Sequence, residues 1–161
     1  MTAILALALA APGVTMAQSP SRAELETATT ATGVRSARGT VARVARTGRE
    51  RCTWAEAWRW GENLVGARLW DYHQRVDWCW NRRRVTYVHR HRWGVTHLVA
   101  WDFKGHIGLD TLWGRGKGWY RTWTQGKFQL CAGQFGCWQT KTPWVQLVVR
   151  RRGTWSYRTG G

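Results

Sequence analysis

Carboxylates are scarce in this chain. Nine Asp and Glu stand against 25 Lys and Arg, for a net charge of +16 and a pI of about 11.3. From residue 51 onward the acids are Glu56, Glu62, Asp71, Asp77, Asp102 and Asp110. Nothing among them marks the two opposed carboxylates a glycosidase needs. There is no Cys-x-x-Cys pair of zinc-site form, no Gly-x-Ser-x-Gly elbow, and no glycine loop of nucleotide-binding form. No catalytic residue and no cofactor is therefore expected, and enzyme is the weakest functional class.

Long apolar runs are also missing. The longest, Ala3 to Ala11, is too short to span a bilayer as a helix. It is followed by Val14-Thr15-Met16-Ala17, with Thr15 and Ala17 placed like the minus-three and minus-one positions of a signal-peptidase site. Residues 1–17 read as a signal peptide and the mature chain as secreted, although Met1-Thr2 brings none of the usual positive charge. Residues 18–50 hold no aromatic side chain. Such a segment is too poor in large apolar groups to build a core, and reads as a flexible basic leader with at most a weak helix over Ala23 to Ala31.

Four cysteines are present: Cys52, Cys79, Cys131 and Cys137. In an exported chain an even count points to two disulfides, with three possible pairings. The favoured one joins Cys131 to Cys137 across a short glycine-bearing loop and leaves Cys52 for Cys79. A thiol nucleophile is then implausible.

What is abundant is tryptophan. All 14 lie between Trp54 and Trp155, so residues 51–161 form the folded domain. Its apolar pattern has period two, the signature of strands. Val85, Tyr87, His89, His91 and Trp93 alternate with Arg84, Thr86, Val88, Arg90 and Arg92, which predicts an aromatic face inward and a cationic face outward. Val76, Trp78 and Trp80 share a parity, and Val145, Leu147 and Val149 share another. Asn81-Arg82 and Arg152-Gly153 are turn candidates. Short alternating strands between such turns predict an all-β fold, an antiparallel β-sandwich or small barrel, with many indoles in its core. One stretch breaks the pattern: Trp54, Ala57, Trp58 and Leu64 fit a helical face.

The strings Asp77-Trp78-Cys79-Trp80, Gly105-His106-Ile107-Gly108, Gln125-Gly126-Lys127-Phe128, Pro143-Trp144-Val145 and Trp155-Ser156-Tyr157 give the chain from Trp70 to Gly161 a recognisable outline. It resembles an uncharacterised family of short secreted actinobacterial Trp-rich proteins. The resemblance implies export and a single disulfide-bearing domain, and assigns no activity.

Three constellations could carry function. In the glycine-rich stretch, Trp113, Arg115, Trp119, Arg121 and Trp123 suit stacking on sugars or bases, with guanidinium groups on hydroxyls or phosphate. Arg82-Arg83-Arg84 and Arg150-Arg151-Arg152 make one cationic patch if their turns share an end of the sandwich, and two solvated strand ends if they do not. His89 and His91 point the same way about 7 Å apart along a strand, and His97 is the natural third metal ligand, with His73, His106 or Asp102 as substitutes. The expected partner is an anionic polymer or cell-surface glycan, engaged by a monomer. A cationic protein active at the membrane surface is the second reading, and a metal-binding protein the third.

Overall fold

The structure is a computed structural model that describes residues 31–40 and 50–161. The expected signal peptide lies outside the described residues. The strands are β1 (Ala31–Thr40), β2 (Arg51–Glu62), β3 (Arg68–Trp80), β4 (Val85–Thr96), β5 (Trp101–Trp113), β6 (Trp119–Cys131), β7 (Cys137–Lys141), β8 (Trp144–Arg150) and β9 (Trp155–Gly160). All pairings are antiparallel. One sheet has the order β1-β2-β3-β4; the other runs β5-β6-β8-β9, with β7 paired to β6 beyond the end of β8. The two sheets pack face to face, so the architecture is the expected sandwich and not a closed barrel.

Alternation builds the interior strand by strand. β6 is the plainest case: Tyr120, Thr122, Thr124, Gly126, Phe128 and Leu130 are buried, and every residue between them is half-exposed. Trp70, Tyr72, Gln74, Val76 and Trp78 line β3 inward, and Val145, Leu147 and Val149 line β8. An aromatic cluster fills one end, with Trp70 stacked on Phe128 at 5.1 Å and tilted against Trp101 at 6.5 Å. A polar belt crosses the middle of the core. There Gln74 Nε2 donates to Thr122 Oγ1 (2.9 Å), and the hydroxyls of Tyr72 and Thr124 share a bond of 2.8 Å. A buried polar group costs stability unless bonded, so these cross-sheet pairs fix the sheets relative to one another.

Only Trp70, Trp78 and Trp101 are fully buried. The other 11 indoles are partly or largely exposed, which corrects the expectation of a core filled chiefly by tryptophan. Many of them pave the outer faces instead.

Both disulfides form as favoured, Cys52–Cys79 and Cys131–Cys137, and no described cysteine is free. Cys52 and Cys79 are direct cross-strand partners on β2 and β3; the second bridge closes the β6–β7 hairpin. Such bridges suit an oxidising, extracellular environment. No helix among the described residues is long and apolar enough to cross a membrane.

Three local expectations need correction. Residues 54–64 are not helical: they belong to β2 and the turn after it, with Thr53, Ala55 and Ala57 buried and Trp54, Glu56 and Trp58 on the outer face. Small side chains inward and indoles outward imitate a helical stripe. Part of the expected leader, Ala31–Thr40, is strand β1, held by backbone pairing to β2. The parity of β4 is reversed beyond Val85. Val85 faces Trp80 and is buried, but Tyr87 faces Cys79, so Thr86 is an extra residue in the ladder. A bulge of this kind flips every later side chain to the other face. Hence His89, His91 and Trp93 look outward beside Asp77, Arg75 and His73, while Val88, Arg90 and Arg92 look toward the opposite sheet.

Candidate functional site

The turns joining β3 to β4, β5 to β6 and β8 to β9 lie together at one end of the sandwich. Asn81 organises the first: its backbone N–H donates to Arg84 O (3.0 Å), and its Oδ1 accepts from the N–H groups of Arg83 and Arg84 (both 2.9 Å). The last is closed by Gly153 N–H on Arg150 O (3.0 Å), with Gly153 at φ +72° and no room for a Cβ beside the Trp80 ring. Arg151 ties all three: its N–H donates to Gly118 O (3.0 Å), and its Nη1 to Arg83 O (3.3 Å). The two arginine triplets thus form one patch, joined by Arg115 and Lys117 from the middle turn.

All eight of these cations are exposed, and none makes an ion pair with a carboxylate among the described residues. Unneutralised charge on closely spaced turns raises the local positive potential and draws counter-ions. Trp113 stands at the edge of the patch, 42% exposed, with Lys117 Nζ 5.7 Å from its ring centre and Tyr120 packed behind it. Trp119 also reaches this end, opposite Arg150.

The remaining expected contact residues fall elsewhere. Arg121 and Trp123 continue along the outer face of β6, and Arg121 is neutralised by Asp110 at 2.8 Å. Trp123 lies over Gly108 of β5, where a Cβ would sit 2.5 Å from its ring. One face of that indole is therefore covered. The structure brings together Arg82, Arg83, Arg84, Trp113, Arg115 and Trp119, and leaves Arg121 and Trp123 outside. Lys117 and Arg150 to Arg152 complete the patch.

The histidines divide sharply. His73 is stacked between Trp58 (5.5 Å) and Trp93 (4.8 Å), with Nδ1 2.8 Å from Glu56 Oε1. His106 lies 3.0 Å from the Tyr72 hydroxyl; desolvation first, and then the Arg92 charge, lower its pKa below the ordinary value of 6.5. Burial likewise raises the Tyr72 pKa above its ordinary value, against smaller opposing effects of the Thr124 hydrogen bond and the Arg92 charge. His97 is bound to Asp71 at 2.6 Å, beyond the end of β4, and does not join His89 and His91. The expected trio is corrected: the third group near those two is Asp77, which faces His89 across the ladder. The bulge at Thr86 is the reason, because it moves both imidazoles onto the face that carries Asp77.

A small cleft between the sheets is lined by Gln74, Arg90, His91, Arg92, Leu109 and Thr122. Arg92 reaches across toward Gly108 O (3.4 Å) and Thr124 Oγ1 (3.5 Å), and the buried Gln74 Oε1 has no protein partner. The reversed parity of β4, invisible in the sequence, puts these arginines there. No family model, curated protein or solved structure matches the chain.

Proposed function

We propose that this protein is a secreted, non-enzymatic module that binds an anionic surface polymer through its cationic end. The observation that carries this reading is the double tether of Arg151 to Gly118 and Arg83, which gathers eight exposed cations without carboxylate partners into one patch with Trp113 at its edge. Guanidinium groups form forked hydrogen bonds to phosphate, sulfate or carboxylate, and a half-exposed indole at the rim stacks on sugar rings or bases. The two disulfides and the signal-like opening of the sequence support export, and the resemblance to secreted Trp-rich proteins points the same way.

The test is binding of the mature protein to teichoic acid, peptidoglycan, heparin and DNA at low and high salt. Binding to at least one polyanion at low salt, falling steeply as salt rises, is expected. Two triple variants, Arg82→Ala/Arg83→Ala/Arg84→Ala and Arg150→Ala/Arg151→Ala/Arg152→Ala, each weaken binding and flatten its salt dependence. A charge-matched control, Lys104→Ala/Lys127→Ala/Arg158→Ala, removes three cations from outside the patch and has a much smaller effect. No binding at low salt, or equal losses in the control, overturns the proposal.

A further inference from the structure

We propose that Asp77, His89 and His91 form a site for a divalent transition-metal ion, with Cu²⁺ the best-matched. The site lies on the outer face of the β1–β4 sheet and is independent of the cationic end. His89 Nδ1 and His91 Nε2 approach to 2.9 Å, their rings almost perpendicular, and Asp77 Oδ2 is 3.5 Å from His91 Nε2. All three ligand atoms lie within 4.8 Å of one another, so small side-chain rotations close them on one ion.

Held at their present separation, the two nitrogens subtend about 90° at an ion about 2.0 Å from each, below the tetrahedral angle favoured by structural zinc. A right angle between imidazoles is the cis arrangement of a tetragonal site, which selects Cu²⁺ or Ni²⁺, and Cu²⁺ stands highest in the affinity order. The carboxylate is already oriented. Arg75 Nε holds Asp77 Oδ1 at 2.8 Å, and the Arg75 guanidinium rests over Trp54 at 4.5 Å. That leaves Oδ2 for the metal, as outer-shell partners commonly do. The positive charge of Arg75 nearby opposes a cation, so the site depends on both imidazoles together. Half-exposed rings and only three protein ligands leave coordination positions open to solvent or a further ligand.

The experiment titrates the mature protein with CuCl₂ in a non-coordinating buffer at neutral pH, followed by calorimetry and by electron paramagnetic resonance. One Cu²⁺ per chain is expected at this site, with a spectrum split by two imidazole nitrogens. His89→Ala and His91→Ala each weaken that binding at least about tenfold and remove one nitrogen from the pattern, and Asp77→Asn weakens it with both nitrogens retained. His97→Ala binds as the parent does. Both rings are exposed, so their removal leaves the core intact, and a thermal melt verifies this. Unchanged affinity and spectrum in the His89→Ala/His91→Ala double variant, or a loss in His97→Ala as large as in His91→Ala, overturns the proposal.

Discussion

Tryptophan rings laid over glycines recur in both sheets. Trp60 faces Gly33, Trp144 faces Gly160 and Trp70 faces Gly61 as direct cross-strand pairs, and a Cβ on any of these glycines would fall within 2.5 Å of the facing ring. Each pair lets a large indole lie flat across a neighbouring strand. The consequence is sharpest at Gly61, because Trp70 is buried and held by Phe128 and Trp101 and has nowhere to swing. Gly61→Ala is expected to cost about 1–3 kcal/mol, the range for overpacking a filled core. Gly118→Ala supplies the contrast: its φ of −67° suits any L-residue and nothing lies within 4 Å. There the change is neutral or adds up to about 1 kcal/mol by restricting the unfolded chain. Urea melts of the two variants check both; equal losses would mean that the glycines do not serve the rings. At this scale the sequence shows which residues are aromatic but not which indole has a glycine opposite, since that depends on register.

At the scale of strands, the legible and illegible parts separate by mechanism. β8 reads directly from alternation because it is regular and flanked on both sides. The β3–β4 and β8–β9 turns read from Asn81 and Gly153, whose chemistry is local. β4 misreads because one bulge residue inverts a parity that is correct up to Val85. β1 misreads because an edge strand needs only backbone pairing, and charged Arg35 and Arg38 suit an edge that must resist further pairing. The metal-ligand set fails with β4: His89 and His91 were legible, and Asp77 required the register. The disulfides span loops of different length, and the difference is measurable. Closing 27 residues removes more unfolded-state entropy than closing six. The loop-entropy relation gives about 3.5 kcal/mol for Cys52–Cys79 and about 2.2 kcal/mol for Cys131–Cys137. Cys52→Ser/Cys79→Ser should therefore lower the denaturation midpoint more than Cys131→Ser/Cys137→Ser. The reverse order would show that the hairpin bridge acts through native-state geometry.

For the whole molecule, the decisive feature is where the most exposed apolar side chains, Val99, Phe135, Val65 and Leu64, lie relative to the charge. The cationic turns follow β3, β5 and β8. Leu64 and Val65 lie in the turn between β2 and β3, Val99 between β4 and β5, and Phe135 and Trp138 in the β6–β7 hairpin. In an antiparallel sandwich those connections sit at the opposite ends of the same strands. A protein that inserts into an anionic bilayer needs cations and apolar groups on one face, so that electrostatic approach leads to burial of side chains among the lipids. Here the arginine-rich end would meet the headgroups with Leu112 and Trp113 as exposed apolar side chains beside it, while Leu64, Val65, Val99, Phe135 and Trp138 point away. Anionic vesicles are therefore expected to adsorb the protein at low salt, release it at high salt, and retain an entrapped dye throughout. The Arg82→Ala/Arg83→Ala/Arg84→Ala variant should lose adsorption, whereas Trp138→Ala should not. Dye leakage, or adsorption that survives high salt, would restore the membrane-active reading, because only apolar insertion withstands the screening that dissolves a purely electrostatic contact.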